Sequence, residues 1–126
     1  MDKRDRVLLK KIQGETNVIA NLIDGYDCEK FVSDEKTKRA VCMTLINIGE
    51  MVKLLSDKLK SEDISIPWRS NAGLRDVTAH GYMTLRMEDI WETVSGDVAE
   101  FRKKLRTYFV TMTKRRINDG CIAKIS

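Results

Sequence analysis

Val41-Cys42-Met43-Thr44-Leu45-Ile46-Asn47-Ile48-Gly49-Glu50-Met51-Val52-Lys53-Leu54-Leu55, continued by Ser56-Asp57-Lys58-Leu59, decides the fold. Its apolar residues Val41, Leu45, Ile48, Val52, Leu55 and Leu59 recur at alternating steps of four and three. A helix turns once in about 3.6 residues, so this spacing draws one apolar stripe down one face and predicts a helix over about 34 to 59. A strand would need a period of two, which the stretch lacks. Gly49 stands in mid-helix at a cost of about 1 kcal/mol relative to alanine, which marks an expected close approach of another backbone.

A single stripe must be covered by other elements, and the flanking sequence supplies them. Upstream, Leu8, Ile12, Ile19, Leu22 and Ile23 share a broad face over about 3 to 24, with Glu15 interrupting it and Gly25 ending it. Between the two helices, Asp27 is placed to cap a short turn and Ser33 or Asp34 to cap the long helix after it, with Phe31 and Val32 turned into the core. Downstream, Ile90, Val94, Val98, Phe101, Leu105, Tyr108 and Met112 predict a helix over about 87 to 113, packed along the helix of 34 to 59. Pro67, the only proline, suits the first turn of a short helix over about 67 to 80, and Gly81 suits a left-handed cap at its end. Long helices with short connections predict an all-α, antiparallel helical bundle, with the short helix between the long ones. Residues 1–113 form the domain; residues 114–126 lack a sustained pattern and are read as a basic C-terminal tail.

With 126 residues the chain suits one domain with one core. Apolar residues make up 42% and charged residues 33%, a water-soluble balance, and no apolar run approaches the ~20 residues of a membrane span. The charged start, Met1 to Arg6, leads into no apolar signal region, so the expected compartment is the cytoplasm. Cys28, Cys42 and Cys121 are widely spaced and match neither a disulfide framework nor a zinc site. A net charge of +4 is compatible with nucleic-acid binding without establishing it. Nucleotide-loop, zincin and serine-hydrolase motifs are absent, so no metal or cofactor is expected.

The chemistry concentrates in Arg75-Asp76-Val77-Thr78-Ala79-His80-Gly81-Tyr82, which holds the only histidine. Five positions on a helix rotate a side chain through about 140°, so Arg75 and His80 diverge on a regular helix. A chain reversal at Gly81 would bring His80 and Tyr82 back beside Arg75. An arginine for phosphate oxygens and a histidine for proton transfer suit phosphodiester chemistry without a metal. On spacing alone a plain surface role is the more ordinary reading, with Asp76 as a salt-bridge partner and Tyr82 as a half-buried aromatic.

Several stretches in order resemble the HepT-like branch of the HEPN superfamily, small all-helical ribonuclease toxins. They are Ile48-Gly49-Glu50, Ile66-Pro67-Trp68-Arg69, Gly73-Leu74-Arg75 through Tyr82, and Ile90-Trp91-Glu92-Thr93-Val94, with Arg75, His80 and Tyr82 matching the motif R-x4-H-x-Y. The resemblance spans about residues 4 to 110. It implies a homodimeric, metal-independent endoribonuclease, the toxin of a type VII toxin-antitoxin system, in which a ribose 2'-hydroxyl attacks the adjacent phosphorus. His80 would act as acid or base, Arg75 would stabilise the phosphoryl charge and Asp76 would assist. The implied partner besides RNA is an MNT-type nucleotidyltransferase antitoxin that transfers AMP from ATP to Tyr82 and so silences the site. The alternative is a non-catalytic HEPN module that binds a nucleotidyltransferase or a nucleotide through the same groove. Arg86 departs from the family pattern, which starts the last helix with aspartate; Thr84 is then the expected substitute cap, or Arg86 faces RNA.

Overall fold

The computed structural model describes residues 2–62 and 81–125, with side chains over 2–61 and 81–114. The elements in order are α1 (Lys3–Leu22), α2 (Cys28–Ser33), α3 (Glu35–Leu54), α4 (Asp57–Glu62), a 3-10 turn (Tyr82–Thr84), α5 (Met87–Glu92), a π-helical turn (Thr93–Asp97) and α6 (Val98–Ile125). The fold is all-α, and no strand occurs among the described residues. Among them, too, no helix is long and apolar enough to cross a membrane. The expected short helix of 67 to 80, with Pro67 and Trp68, lies outside the described residues.

Side-chain caps set the helix starts. Asp2 accepts from the Arg4 amide at 3.2 Å, and Asp27 from the Lys30 amide at 2.8 Å. Of the two candidates before α3, Asp34 is the cap: its Oδ1 accepts from the Thr37 amide at 3.1 Å. Ser33 instead donates back to the Lys30 carbonyl at 3.0 Å. Each cap satisfies a first-turn N–H that has no partner within its own helix. Past the end of α1, Gly25 takes a φ of +75°, which lets the chain reverse.

All six residues of the α3 stripe are buried, none more than 9% exposed. The helix itself stops earlier than its stripe: Leu55 is extended, at φ −65° and ψ 145°, and α4 begins at Asp57. The cause is a contact 51 residues away in sequence. Asp5 on α1, only 3% exposed, accepts from the Ser56 amide at 3.0 Å and from Ser56 Oγ at 2.5 Å. Ser56 Oγ in turn accepts from the Leu59 amide at 3.2 Å, capping α4. The start of α1 therefore meets the end of α3, and the two helices run antiparallel.

The last helix departs from expectation in its packing, its continuity and its length. Its close backbone approach is to α1, which also packs on α3, so α1 is the shared partner. This corrects the expectation that the last helix packs along α3. The physical reason is the breadth of α1's apolar band: Leu9, Ile12 and Ile19 are fully buried, and Leu8, Leu22 and Ile23 pack at its margins. The helix is also interrupted by the π turn at Thr93–Asp97. Ile90, Val94 and Val98 recur at two successive steps of four, which an α-helix would rotate off the core by about 40° each; a wider turn keeps all three buried. Finally, backbone helix continues to Ile125 rather than ending near residue 113.

Candidate functional site

Of the residues singled out by sequence, Tyr82 is described; Arg75, Asp76 and His80 lie outside the described residues. Gly81 has the positive φ expected of it, +73°, but with ψ 159° it is extended rather than in the left-handed helical well. That combination is open essentially only to glycine, so the backbone entering Tyr82 takes a course that a residue with a β-carbon would strain. A 3-10 turn comes next, in which Thr84 Oγ1 donates to the Gly81 carbonyl at 3.2 Å. Thr84 is therefore not the cap of α5. Arg86 occupies that position without a side-chain cap bond, and Glu88 and Asp89 place negative charge in the first turn instead.

The ring of Tyr82 packs against the margin of the core, and its hydroxyl reaches the first turns of α3. It donates to Glu35 Oε1 at 2.7 Å. The same oxygen accepts from Arg39 Nε at 2.9 Å, and Glu35 Oε2 pairs with Lys38 Nζ at 3.1 Å. The Arg39 guanidinium carbon lies 4.8 Å from the centroid of the Tyr82 ring, within reach of a cation–π contact. Glu35 and Arg39 thus contact Tyr82 directly, and Lys38 pairs with the second oxygen of the same carboxylate.

These contacts hold the protons where they are. Burial, then the hydrogen bond to Glu35, pushes the Tyr82 phenol up to about 12. The Tyr82 hydrogen bond, followed by Lys38, holds Glu35 down at about 2. The neighbouring cap is stabilised in the same way: Tyr26 donates to Asp34 Oδ2 at 2.6 Å, the main reason Asp34 sits at about 2. At neutral pH the cluster therefore presents a protonated phenol and an ionised carboxylate, the latter paired with Lys38 and Arg39.

Sequence reading missed Glu35, Lys38 and Arg39. Their only sequence signal is charge at three- and four-residue spacing on a helix, which is the pattern of an ordinary solvated face. Trp91 packs against Phe31 at 5.4 Å between ring centroids. Glu50 is exposed and pairs loosely with Lys53 at 3.6 Å.

An all-helical domain carrying this phenol at the end of an R-x4-H-x-Y sequence defines a class that comparison with known proteins identifies. The family model described as Ribonuclease HepT-like matches residues 12–108. The chain belongs to that family. "Putative RNase TTE0752" of Caldanaerobacter subterraneus subsp. tengcongensis is 32% identical over 104 residues, 82% of this chain and 93% of that protein. "Putative RNase MJ0125" of Methanocaldococcus jannaschii is 31% identical over 105 residues, 82% of this chain and 90% of that one. "Probable ribonuclease HepT" of Thermococcus cleftensis is 36% identical over 76 residues, 60% of this chain and 69% of that protein. No solved structure matches the chain significantly.

Proposed function

We propose that this chain is the toxin of a type VII toxin-antitoxin pair, a cytoplasmic, homodimeric endoribonuclease that cuts RNA without a metal ion. The observation that carries the reading is the match of Arg75, His80 and Tyr82 to R-x4-H-x-Y inside a chain of the HepT-like family. In the reaction, a ribose 2'-hydroxyl attacks the adjacent phosphorus and displaces the 5'-oxygen, leaving a cyclic phosphate and a free 5'-hydroxyl. His80 transfers the proton, Arg75 stabilises charge growing on the phosphoryl oxygens, and Asp76 orients that guanidinium. A second subunit supplies the facing half of the cleft.

Control is exerted at Tyr82. An MNT-type nucleotidyltransferase transfers AMP from ATP to the phenol: the Tyr82 oxygen bonds to the α-phosphorus, the bond to pyrophosphate breaks, and the phenolic proton leaves. A nucleotide on Tyr82 places negative charge in the RNA phosphate site and excludes the substrate. The half-exposed position of Tyr82 and its reach to the exposed Glu35 support access by such an enzyme.

The test is RNA cleavage by purified, unmodified protein in excess EDTA. Wild type cuts; His80→Ala and Arg75→Ala each lose about a hundredfold or more, the size of a removed acid-base or charge-stabilising group, while circular dichroism and dimer mass stay unchanged. Full activity in His80→Ala sinks the reading. Tight binding of a nucleotidyltransferase with no RNA loss, with or without metal, would favour the non-catalytic alternative.

A further inference from the structure

We propose that Lys38 and Arg39, held in the unmodified protein by Glu35, form a receptor for the phosphate carried on Tyr82, so that modification exchanges one anion for another and latches the nucleotide in place. The inference rests on the reading of Tyr82 as the modified residue and adds the groups that hold the product.

The Tyr82 hydroxyl and Arg39 Nε bind the same carboxylate oxygen, at 2.7 and 2.9 Å, so a group attached to the hydroxyl emerges one carboxylate's width from the guanidinium. Arg39 already lies over the Tyr82 ring at 4.8 Å and needs no large movement to reach it. Lys38 is held near the cluster with a side chain only 14% exposed, whereas Glu35 is 56% exposed and can turn into water. Glu35 meets the phenol and ties two cations, Arg39 and Lys38, to one carboxylate. A phosphodiester that takes the carboxylate's place carries the same single negative charge, so the exchange leaves the charge balance unchanged.

The chemistry of the transfer drives the exchange. In the unmodified protein Glu35 is bound through the phenolic hydrogen. When the phenolic oxygen bonds to the α-phosphorus of a nucleoside triphosphate and pyrophosphate leaves, that hydrogen passes to Glu35 and from its exposed carboxylate to solvent. The Tyr82 oxygen then has nothing to donate, and the new phosphoryl oxygens repel the carboxylate. Arg39, with a planar fork of donors suited to phosphate, and Lys38, a mobile point charge, are left facing the phosphoryl group. Before the transfer, Glu35 acts as a positioning residue that fixes the phenol; afterwards it is the displaced anion.

The experiment uses the full chain with phosphotyrosine installed at position 82 during translation, the phosphate monoester serving as the probe, read by phosphorus-31 NMR against pH. The second ionisation of a free phosphotyrosine lies at about 6. In the folded chain it should fall by about one unit or more, because opposite charges within a few ångströms favour the dianion. Arg39→Gln and Lys38→Gln should each restore part of the shift and together all of it, with unchanged circular dichroism. Glu35→Gln, which removes a like charge, should leave the ionisation as low or lower it further. A probe that titrates as in a short peptide, or one indifferent to Arg39→Gln and Lys38→Gln, overturns the latch. Intact mass after co-expression with the nucleotidyltransferase separates the two claims. Absence of an adenylyl group from Tyr82 refutes the reading beneath the latch, whereas an adenylyl group there with a peptide-like phosphorus titration refutes the latch alone.

Discussion

Removing the Asp5 carboxylate should destabilise the whole bundle, because one buried group joins the start of α1 to the break between α3 and α4. Asp5→Ala deletes two hydrogen bonds to a charged acceptor, those from the Ser56 amide and hydroxyl. Bonds of this kind contribute roughly 1.5–3 kcal/mol each when one partner is removed. Ser56 is half-exposed, so water can replace part of what is lost, and the expected cost is about 2–4 kcal/mol. At roughly 4 °C per kcal/mol for a domain of this size, Tm should fall by about 8–16 °C. The assay is urea and thermal unfolding followed by helical circular dichroism at one protein concentration, with Asp5→Asn, Ser56→Ala and the Asp5→Ala/Ser56→Ala double variant. Asp5→Asn keeps a side-chain acceptor and should cost about half as much as Asp5→Ala. The cycle should show a coupling of about 1 kcal/mol or more between the two positions. An Asp5→Ala cost below about 0.5 kcal/mol, the ordinary range of a surface substitution, would refute the claim that this contact sets the helix break.

The packing and the titrating groups lead to four further outcomes. Leu45, fully buried at the centre of the α3 stripe, should cost about 2–5 kcal/mol on replacement by alanine, measured by urea unfolding. Asp34 and Glu35 are held at about 2, below their ordinary values of 3.8 and 4.5, so their stabilisation is complete above about pH 4.5 and is lost as pH falls towards 2. Tyr82 has the opposite sign: its phenol is raised from 10.0 to about 12, so its contribution is intact below pH 10 and disappears between about 10 and 12. Thermal scans across both windows, with Tyr82→Phe flattening the alkaline one, check the assignment. The Cys42 thiol, pushed up to about 11 by burial, should react with iodoacetamide at pH 8 far more slowly than the partly exposed Cys28, as mapped by peptide mass.

The sequence carried the core because periodicity reports burial directly. The stripe from Val41 to Leu59 and the stripe from Ile90 to Leu105 are both buried as spaced. What it did not carry is where the backbone departs from regular helix inside a stripe. The break at Leu55 is set by Asp5, 51 residues earlier than Ser56, and a charge in the first turn of a helix looks like ordinary complement to the helix dipole. The π turn left a trace, the successive steps of four through Ile90, Val94 and Val98, which is legible once the helical repeat is compared with it. At the site, Tyr82 was singled out because Arg75, His80 and Tyr82 resemble the family motif R-x4-H-x-Y. Its partners Glu35, Lys38 and Arg39 were not, because they come from a different helix, with Glu35 47 residues away. Pairings across such distances are fixed by the packing of α3 against the rest of the core, and no local pattern encodes them.

The place of α1 as the shared partner of α3 and α6 also orders events during synthesis. The element on which both others pack is made first, and the first turn of α3, with Glu35 and Arg39, is made well before Tyr82. A nascent chain can therefore pair α1 with α3 early and fix Asp5 on Ser56, but it cannot close the core until α6 has supplied Val98, Phe101 and Leu105. Tyr82 meets a ready-made socket, while the apolar face of α1 that awaits α6 stays wet until translation is nearly finished. Ribosomes that stall after Ser56 has left the exit tunnel but before Val98 to Leu105 emerge would hold a chain whose α1–α3 pair is formed and whose unclosed face is a target for chaperones and proteases.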